Sequence, residues 1–139
     1  MSTSEHPPLF IDFARSTQAE LSAAGEYVRS KNGDDAAELF GERVAQAFQG
    51  AASSLAQEIA ASDHGKPFGT PDPVASVRWA QPVYRLRVET AAKRRRGSSA
   101  GLWYAYYALH DKGGAGKPDT LHVFSFVHSA TEPMGTDAD

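Results

Sequence analysis

The chain has 139 residues, enough for one domain with a single hydrophobic core and too few for two comfortable ones. Its content of 41% hydrophobic and 22% charged residues is typical of globular proteins, and the lack of cysteine excludes disulfides, thiolate metal ligands and thiol nucleophiles. No apolar run reaches the roughly 18 residues of a membrane span, and residues 1–8 lack the basic and apolar parts of a signal peptide. We therefore expect a cytoplasmic protein that does not associate with membranes.

The net charge of -3 conceals a strong segregation of charge along the chain. Residues 1–63 hold ten acidic and four basic residues, and residues 111–139 hold five acidic and two basic ones. The segment between them, 64–110, holds two acidic and eight basic residues, a net charge of +6. Because clustered charge steers binding more than the total does, this segment predicts an anionic partner.

The first part of the chain predicts a strand followed by a helix. Apolar residues alternate with others over 9–14, the period of two that is typical of a strand. Thr17 and Glu20 have the spacing of a capping box, which predicts the start of a helix. The pair Asn32 and Gly33 predicts its end, because both residues tolerate the left-handed conformation of a C-cap.

A second helix gives the clearest periodic signal. Asp35 and Glu38 repeat the capping pattern, and large or medium apolar residues follow at helical spacing: Phe40, Val44, Phe48, Ala51, Leu55 and Ile59. The pattern predicts about seven turns of helix, at about 3.6 residues each, with one apolar stripe. Because only Gly33 and its neighbours connect the two helices, we expect them to form an antiparallel hairpin.

The second half of the chain predicts strands. Glycines and prolines over 63–76 indicate an irregular connection. Residues 83–89 alternate between apolar and charged, and 102–109 and 121–127 are rich in aromatic and β-branched residues, so three strands are expected. Residues 111–118 resemble a calcium loop, but two lysines intrude and no EF-hand glutamate is present, so a turn is predicted.

The resulting order is β-α-α-β-β-β. We expect an α+β fold in which the helical hairpin packs on one face of a small, mainly antiparallel sheet. Residues 9–130 should form a single domain, between a disordered N-terminus at 1–8 and a flexible C-terminal tail at 131–139.

Six of the fourteen basic residues fall within twelve positions: Arg85, Arg87, Lys93, Arg94, Arg95 and Arg96. The period of two places the first two on one strand face, beside the loop that carries the other four. Guanidinium groups make bidentate, charge-assisted hydrogen bonds to phosphate, so this cluster is a candidate nucleic-acid or other anion-binding site. The alternatives are that the cluster binds an acidic segment of another protein, or that it has no specific partner.

The histidines are the residues of this chain best suited to acid-base chemistry or to metal binding. His122 and His128 are six residues apart on one predicted strand, so we expect them to face the same side, roughly 20 Å apart. That separation is too long for one shared ion, and no metal or cofactor is predicted. His128, at the end of the last strand, is a candidate general acid or phosphate ligand; a partly buried histidine with a hydrogen-bonded ring is the alternative.

Five strings, in this order, together resemble the RelE/ParE superfamily of bacterial type II toxin-antitoxin toxins. They are FARSTQAELSAAGEYVRSKNG (13–33), DDAAELFGERVAQAFQGAASSL (34–55), VYRLRV (83–88), RRRGSSAGLWYAYYAL (94–109) and LHVFSFVHSA (121–130). They are similar to that family's opening strand and helix, its second helix, and its three closing strands. The resemblance spans 9–130.

The resemblance implies a toxin that arrests growth by acting on a nucleic-acid machine and is neutralised by a cognate antitoxin protein. The long second helix favours the ParE-like branch, which inhibits gyrase. The alternative is a RelE-like, ribosome-dependent mRNA endonuclease, in which Arg85, Arg87 and His128 would be catalytic. A second alternative is a non-toxic protein-binding module of the same fold, and the resemblance leaves open whether the protein is an enzyme and whether it is a homodimer or a hetero-oligomer with the antitoxin.

Overall fold

The computed structural model describes residues 7–61, 70–90 and 101–129. In chain order the elements are β1 (Phe10–Phe13), α1 (Arg15–Asn32), α2 (Asp34–Ala61), α3 (Pro73–Trp79), β2 (Tyr84–Glu89), β3 (Leu102–His110) and β4 (Thr120–His128). The strands form one sheet in the order β1-β4-β3-β2, with β1 parallel to β4 and the other two pairs antiparallel. The α+β class and the mainly antiparallel sheet are therefore confirmed, with one helix more than predicted. Residues 1–6 of the predicted disordered N-terminus and the predicted tail at 131–139 lie outside the described residues.

The core between the sheet and the first two helices follows the predicted stripe of α2. Phe40, Phe48, Leu55 and Ile59 are buried on α2, and Val44 and Ala51 are partly buried beside them. The ring of Phe40 meets Trp103 and Phe126 edge to face, with centroids 5.4 and 6.1 Å away. Gly33, at φ 97°, ends α1 and alone separates it from α2, as predicted.

The capping box predicted at the start of α1 is wrong. Ala14 is the N-cap and makes no side-chain hydrogen bond, while Thr17 and Glu20 face the sheet. The Thr17 hydroxyl, fully buried, donates to the carbonyl of Val123 at 3.0 Å. The Glu20 carboxylate accepts from the backbone N–H of Phe126 at 2.8 Å. Thr17 is a second donor to the Val123 carbonyl, which also accepts from the N–H of Ala14 just after β1. Because β1 ends at Phe13 while β4 runs on to His128, Glu20 satisfies an edge N–H of β4 that β1 no longer reaches.

A β-bulge interrupts β4. Tyr107 pairs with Val123 but Tyr106 pairs with Ser125, so Phe124 is an extra residue opposite β3. The extra residue reverses the alternation of side chains along the second half of β4. Phe124 consequently lies on one face of the sheet, and Phe126 lies in the core on the other.

The connection predicted as irregular contains a short helix, α3. Asp72 is its N-cap, and its carboxylate accepts from the N–H of Ala75 at 2.9 Å, with Pro73 in the first turn. Ala75 is fully buried, and the indole of Trp79 stacks on Phe124 with centroids 5.0 Å apart. The helix thus covers part of the sheet face that α1 and α2 leave open. None of the described helices has the length and apolar character needed to cross a membrane.

The loop between β3 and β4 is shaped by two carboxylates, in agreement with the predicted turn. Asp111 accepts from the N–H groups of Ala115 and Gly116, at 3.1 and 2.8 Å. Asp119 accepts from those of Lys112 and Gly113, at 3.0 and 2.8 Å. The hydrogen bond from the Lys112 N–H first, and that from the Thr120 hydroxyl second, hold the pKa of Asp119 below its ordinary value.

Replacing Asp119 by asparagine is expected to lower the thermal midpoint at neutral pH, because the amide keeps one acceptor oxygen and turns an NH₂ group toward a backbone N–H. The native pKa of Asp119 lies below the unfolded value of about 3.9, so the stabilisation is complete above the unfolded pKa and is lost as the pH falls through the native one. Thermal unfolding followed by circular dichroism between neutral and acidic pH checks this. The gap between wild type and Asp119→Asn should close on acidification, and a gap that widened would contradict the assignment.

Candidate functional site

The two strand arginines lie on the sheet face away from α1 and α2. Arg85 and Arg87 are exposed and alternate with the inward-facing Leu86 and Val88. They pair across the sheet with Tyr106 and Tyr104, whereas Ala105, between those two tyrosines, belongs to the main core. Since alternate residues of a strand face opposite sides, the arginines share the α3 face of the sheet. β2 is the outermost strand there, so both arginines stand at an edge.

The guanidinium groups of Arg85 and Arg87 make different contacts. The guanidinium carbon of Arg85 lies 4.4 Å from the centroid of the Tyr104 ring, a cation–π contact, and Arg85 makes no hydrogen bond or ion pair within the described chain. Arg87 donates from Nε to Glu89 at 3.1 Å, with both side chains about half exposed. Such an exposed ion pair is worth only about 0.2–1 kcal/mol and is readily exchanged for another anion. Arg85 is therefore the better-placed donor for an external anion, with Arg87 available at small cost.

The remaining members of the predicted basic cluster, Lys93, Arg94, Arg95 and Arg96, lie outside the described residues. The chain leaves the sheet toward them at Thr90 and returns at Gly101, and the N–H of Thr90 donates to the carbonyl of Gly101 at 2.7 Å. That junction follows β2 directly, at the end nearest Arg87. Convergence of the loop cations with the strand arginines stays a prediction.

His128 lies on the opposite face from the arginines. It pairs with Trp103, and the two rings meet edge to face with centroids 5.0 Å apart. Together with Glu20, Tyr27 and Phe126, it lines a groove between α1 and the end of β4. The structure therefore brings Arg85 and Arg87 together but does not bring His128 to them.

The expectation that His122 and His128 face the same side is wrong. His122 stacks against His110 on the α3 face, while His128 contacts Trp103 on the core face. The physical reason is the bulge at Phe124, which adds one residue between the two histidines on β4 and reverses the facing of everything after it.

A second polar group surrounds His122, and none of its other members was singled out from the sequence. Asp12 on β1 accepts from Lys112 Nζ at 2.7 Å and from His122 Nδ1 at 3.0 Å. On β3, His110 Nε2 donates to Gln81 Oε1 at 2.9 Å, and its ring lies 5.3 Å from that of His122. We call Asp12, Gln81, His110, Lys112 and His122 the histidine cluster.

The electrostatics of the histidine cluster are those of a partly buried, nearly neutral group. Hydrogen bonds from Lys112 first and His122 second hold the pKa of Asp12 below its ordinary value. Burial first, then the nearby charges of His122 and Lys112, lowers the pKa of His110. Because Asp12 and Lys112 form an ion pair with each other, the two imidazoles are the members of the cluster whose ring nitrogens can bind a ligand.

The arginine pair and the histidine cluster lie toward opposite ends of the same sheet face. Between them, Trp79 of α3 stacks on Phe124 and contacts Tyr106 at a centroid distance of 6.4 Å. The aromatic layer separates a basic edge from a histidine-rich corner, so the face offers two distinct polar surfaces.

One sequence signal could have located the histidine cluster. His110 and His122 flank the loop of a predicted hairpin, and antiparallel pairing brings such residues close together. The part played by Asp12 had no comparable signal, because it depends on β1 lying beside β4.

Comparison of the chain with known protein families, with curated proteins and with solved structures finds no match.

Proposed function

We propose that this chain is a growth-arresting toxin of the kind its RelE/ParE resemblance implies, acting on a nucleic-acid machine and neutralised by a cognate antitoxin. The observation that carries the proposal is the exposed pair Arg85 and Arg87 on an edge strand, on the face opposite a long helical hairpin. This arrangement agrees with the positive charge of residues 64–110. Guanidinium groups with unoccupied donors suit a phosphate or carboxylate partner.

Inhibition by binding, as in the ParE-like branch, is better supported than RNA cleavage. A RelE-like mechanism carried by Arg85, Arg87 and His128 needs the three side chains around one phosphate. His128 faces α1 while the arginines face the α3 side, so this trio does not surround one site. We therefore favour gyrase as the target over mRNA in the ribosome.

Induced expression in bacteria tests the proposal. The wild-type chain should stop growth, and the double change Arg85→Ala with Arg87→Ala should restore it, because it removes the paired cations of the exposed strand. A matched control, Lys31→Ala with Arg43→Ala, removes the same charge from α1 and α2 and should remain toxic. A companion variant with alanine at 93–96 measures the contribution of the loop cations.

Two readouts separate the mechanisms. Messenger RNA should stay intact during the arrest, and the purified chain should inhibit supercoiling by gyrase in vitro. Fragmented transcripts with unaffected gyrase would instead favour the endonuclease. Normal growth at high expression of the wild-type chain would refute toxicity and favour a protein-binding module.

A further inference from the structure

β2 has one edge that bonds to β3 and one edge that faces away from the sheet. The N–H of Thr90, directly after β2, donates to the carbonyl of Gly101 at 2.7 Å. Because hydrogen-bonded and non-hydrogen-bonded pairs alternate along an antiparallel ladder, Leu86 and Val88 also bond to β3. The backbone N–H and C=O groups that point away from β3 belong to three residues: Arg85, Arg87 and Glu89. We call these three residues the open edge of β2.

The same side of the chain is covered just before β2 begins. Val83 points its backbone groups in the same direction as the open edge, and its carbonyl accepts from the Asp72 N–H at 2.7 Å. Its N–H donates to the Ser76 hydroxyl at 2.9 Å. Within the described chain, no hydrogen bond is made to the outward backbone groups of the open edge itself. These residues span about 14 Å of strand, at ~3.4 Å per residue, and form a template for another strand.

The side chains of the open edge favour an acidic partner. In an antiparallel pair, two residues that exchange both hydrogen bonds lie directly opposite each other, with their side chains on one face of the sheet. An added strand would therefore place one residue opposite Arg87 and another, two positions further on, opposite Arg85, both on the α3 face. Opposite charges at such positions stabilise a strand pair. The net charge of +6 over residues 64–110 adds a long-range attraction for an acidic chain.

A second copy of β2 matches the open edge less well. Two copies can pair antiparallel about Leu86 or about Arg87, the two registers of longest overlap in which open-edge residues face each other. The first register sets Arg85 against Arg87 twice. The second pairs Arg85 with Glu89 but sets Arg87 against its own copy at the centre. Because like charges directly opposite destabilise a strand pair, a different chain with two acidic residues is the better occupant.

We propose that the open edge of β2 binds an extended acidic segment of another protein, which adds antiparallel to β2 as a fifth strand of the sheet. From its N-terminus the segment reads basic-x-acidic-x-acidic. The basic side chain pairs with Glu89, and the acidic ones pair with Arg87 and Arg85. The x residues lie on the core face beside Val88 and Leu86, where apolar side chains fit. Main-chain hydrogen bonds supply the affinity of this mode of recognition, and alternate side chains supply its specificity. Such binding uses the arginines of the proposed function but does not require that the chain be toxic.

Fluorescence anisotropy of a labelled peptide with the core Lys-Val-Glu-Val-Glu, titrated with the full chain, tests the proposal. N-methylation of the peptide separates strand addition from charge attraction, because it removes one backbone N–H and changes no charge. A methyl group on either glutamate nitrogen, which faces β2, should weaken binding about tenfold, the effect of losing a main-chain hydrogen bond. A methyl group on either valine nitrogen, which faces solvent, should leave the affinity unchanged. Equal effects at the glutamates and the valines would overturn strand addition.

Variants of the protein test the charge pairing. The double change Arg85→Ala with Arg87→Ala should weaken peptide binding about tenfold, because it removes two cross-strand charge pairs. Lys31→Ala with Arg43→Ala, on α1 and α2, is the charge-matched control and should bind as the wild type does. A peptide with exchanged charges, Glu-Val-Lys-Val-Lys, should not bind. Binding of a single-stranded oligonucleotide at these arginines, with no binding of the acidic peptide, would overturn the proposal in favour of a nucleic-acid site.

Amide hydrogen exchange of the wild-type chain needs no variant. In the free protein, the amides of Arg85, Arg87 and Glu89 should exchange faster than those of Leu86 and Val88, which bond to β3. Saturating peptide should slow the exchange of the first three amides. Protection of these three amides in the free protein would show that the edge is already covered, and unchanged exchange with peptide would show that no strand is added. Either result would overturn the proposal, whatever the effect of the chain on bacterial growth.

Discussion

Replacing Phe40 by alanine is expected to lower the free energy of unfolding by about 3–5 kcal/mol, the usual cost of removing a buried phenylalanine. Phe40 is 5% exposed and joins α2 to the sheet through its edge-to-face contacts with Trp103 and Phe126. On its far side, α1 comes close at Gly25, whose position would place a Cβ 4.0 Å from the Phe40 ring. The substitution therefore opens a cavity where α1, α2 and the sheet meet, and loses aromatic contacts on two sides.

Urea unfolding monitored by tryptophan fluorescence and circular dichroism measures this loss. Val77→Ala is the matched control, because Val77 is 81% exposed on α3 and its truncation should change the free energy of unfolding by no more than about 0.5 kcal/mol. Phe40→Leu should fall between the two, since it fills most of the space but loses the ring contacts. Equal losses for Phe40→Ala and Val77→Ala would mean that α2 does not pack on the sheet through this residue.

Replacing Glu20 by alanine is expected to cost about 1–3 kcal/mol, the penalty for leaving a buried donor without a partner. Its carboxylate accepts from the Phe126 N–H at 2.8 Å and from the Ser125 hydroxyl at 3.3 Å, just beyond the bulge of β4. At this point β1 has ended, so no strand lies alongside to take the Phe126 N–H.

Glutamine at position 20 separates the hydrogen bond from the charge. Glu20→Gln keeps an acceptor oxygen of the same reach and should lose markedly less stability than Glu20→Ala, whereas Glu26→Ala, exposed on the same helix, should lose little. Amide hydrogen exchange gives a local readout, because the Phe126 amide should exchange faster in Glu20→Ala while the amides of β2 keep their protection. Equal exchange of the Phe126 amide in all variants would show that Glu20 does not protect it.

The parts of the fold that the sequence predicted are those governed by local pattern. The apolar stripe from Phe40 to Ile59 is set by the helical repeat alone, and the stop at Gly33 follows from a backbone conformation that favours glycine. The alternation around Arg85 and Arg87 likewise predicted an exposed charged face. In each case the neighbouring residues were sufficient to determine the outcome.

The errors arose where tertiary contacts compete with local preference. Thr17 and Glu20 have the spacing of a capping box, but their side chains bond to β4, and no property of α1 itself reveals that competition. The sequence around the bulge at Phe124 looks like that of an ordinary strand, so nothing in it reveals the bulge. The bulge nevertheless places His128 on the opposite side of the sheet from the one expected. Asp72 and Pro73 do carry a helix-start signal, which the surrounding prolines and glycines concealed.

The histidine cluster, too, could be predicted from the sequence only in part. His110 and His122 are neighbours in a hairpin and could have been paired from their positions. Asp12 joins them only because the first strand lies beside the last, a fact of topology and not of pattern.

The parallel pairing of β1 with β4 also governs how the chain reaches its native state. Asp12 and His122 are 110 positions apart, and every strand-to-strand hydrogen bond of β1 spans a comparable distance. Closing so large a loop costs entropy before any of these contacts is made, so the first strand to be synthesised is held back until the last has emerged. Until then its apolar residues Ile11 and Phe13 have no sheet to join, so β1 is exposed to aggregation while the rest of this domain is being made.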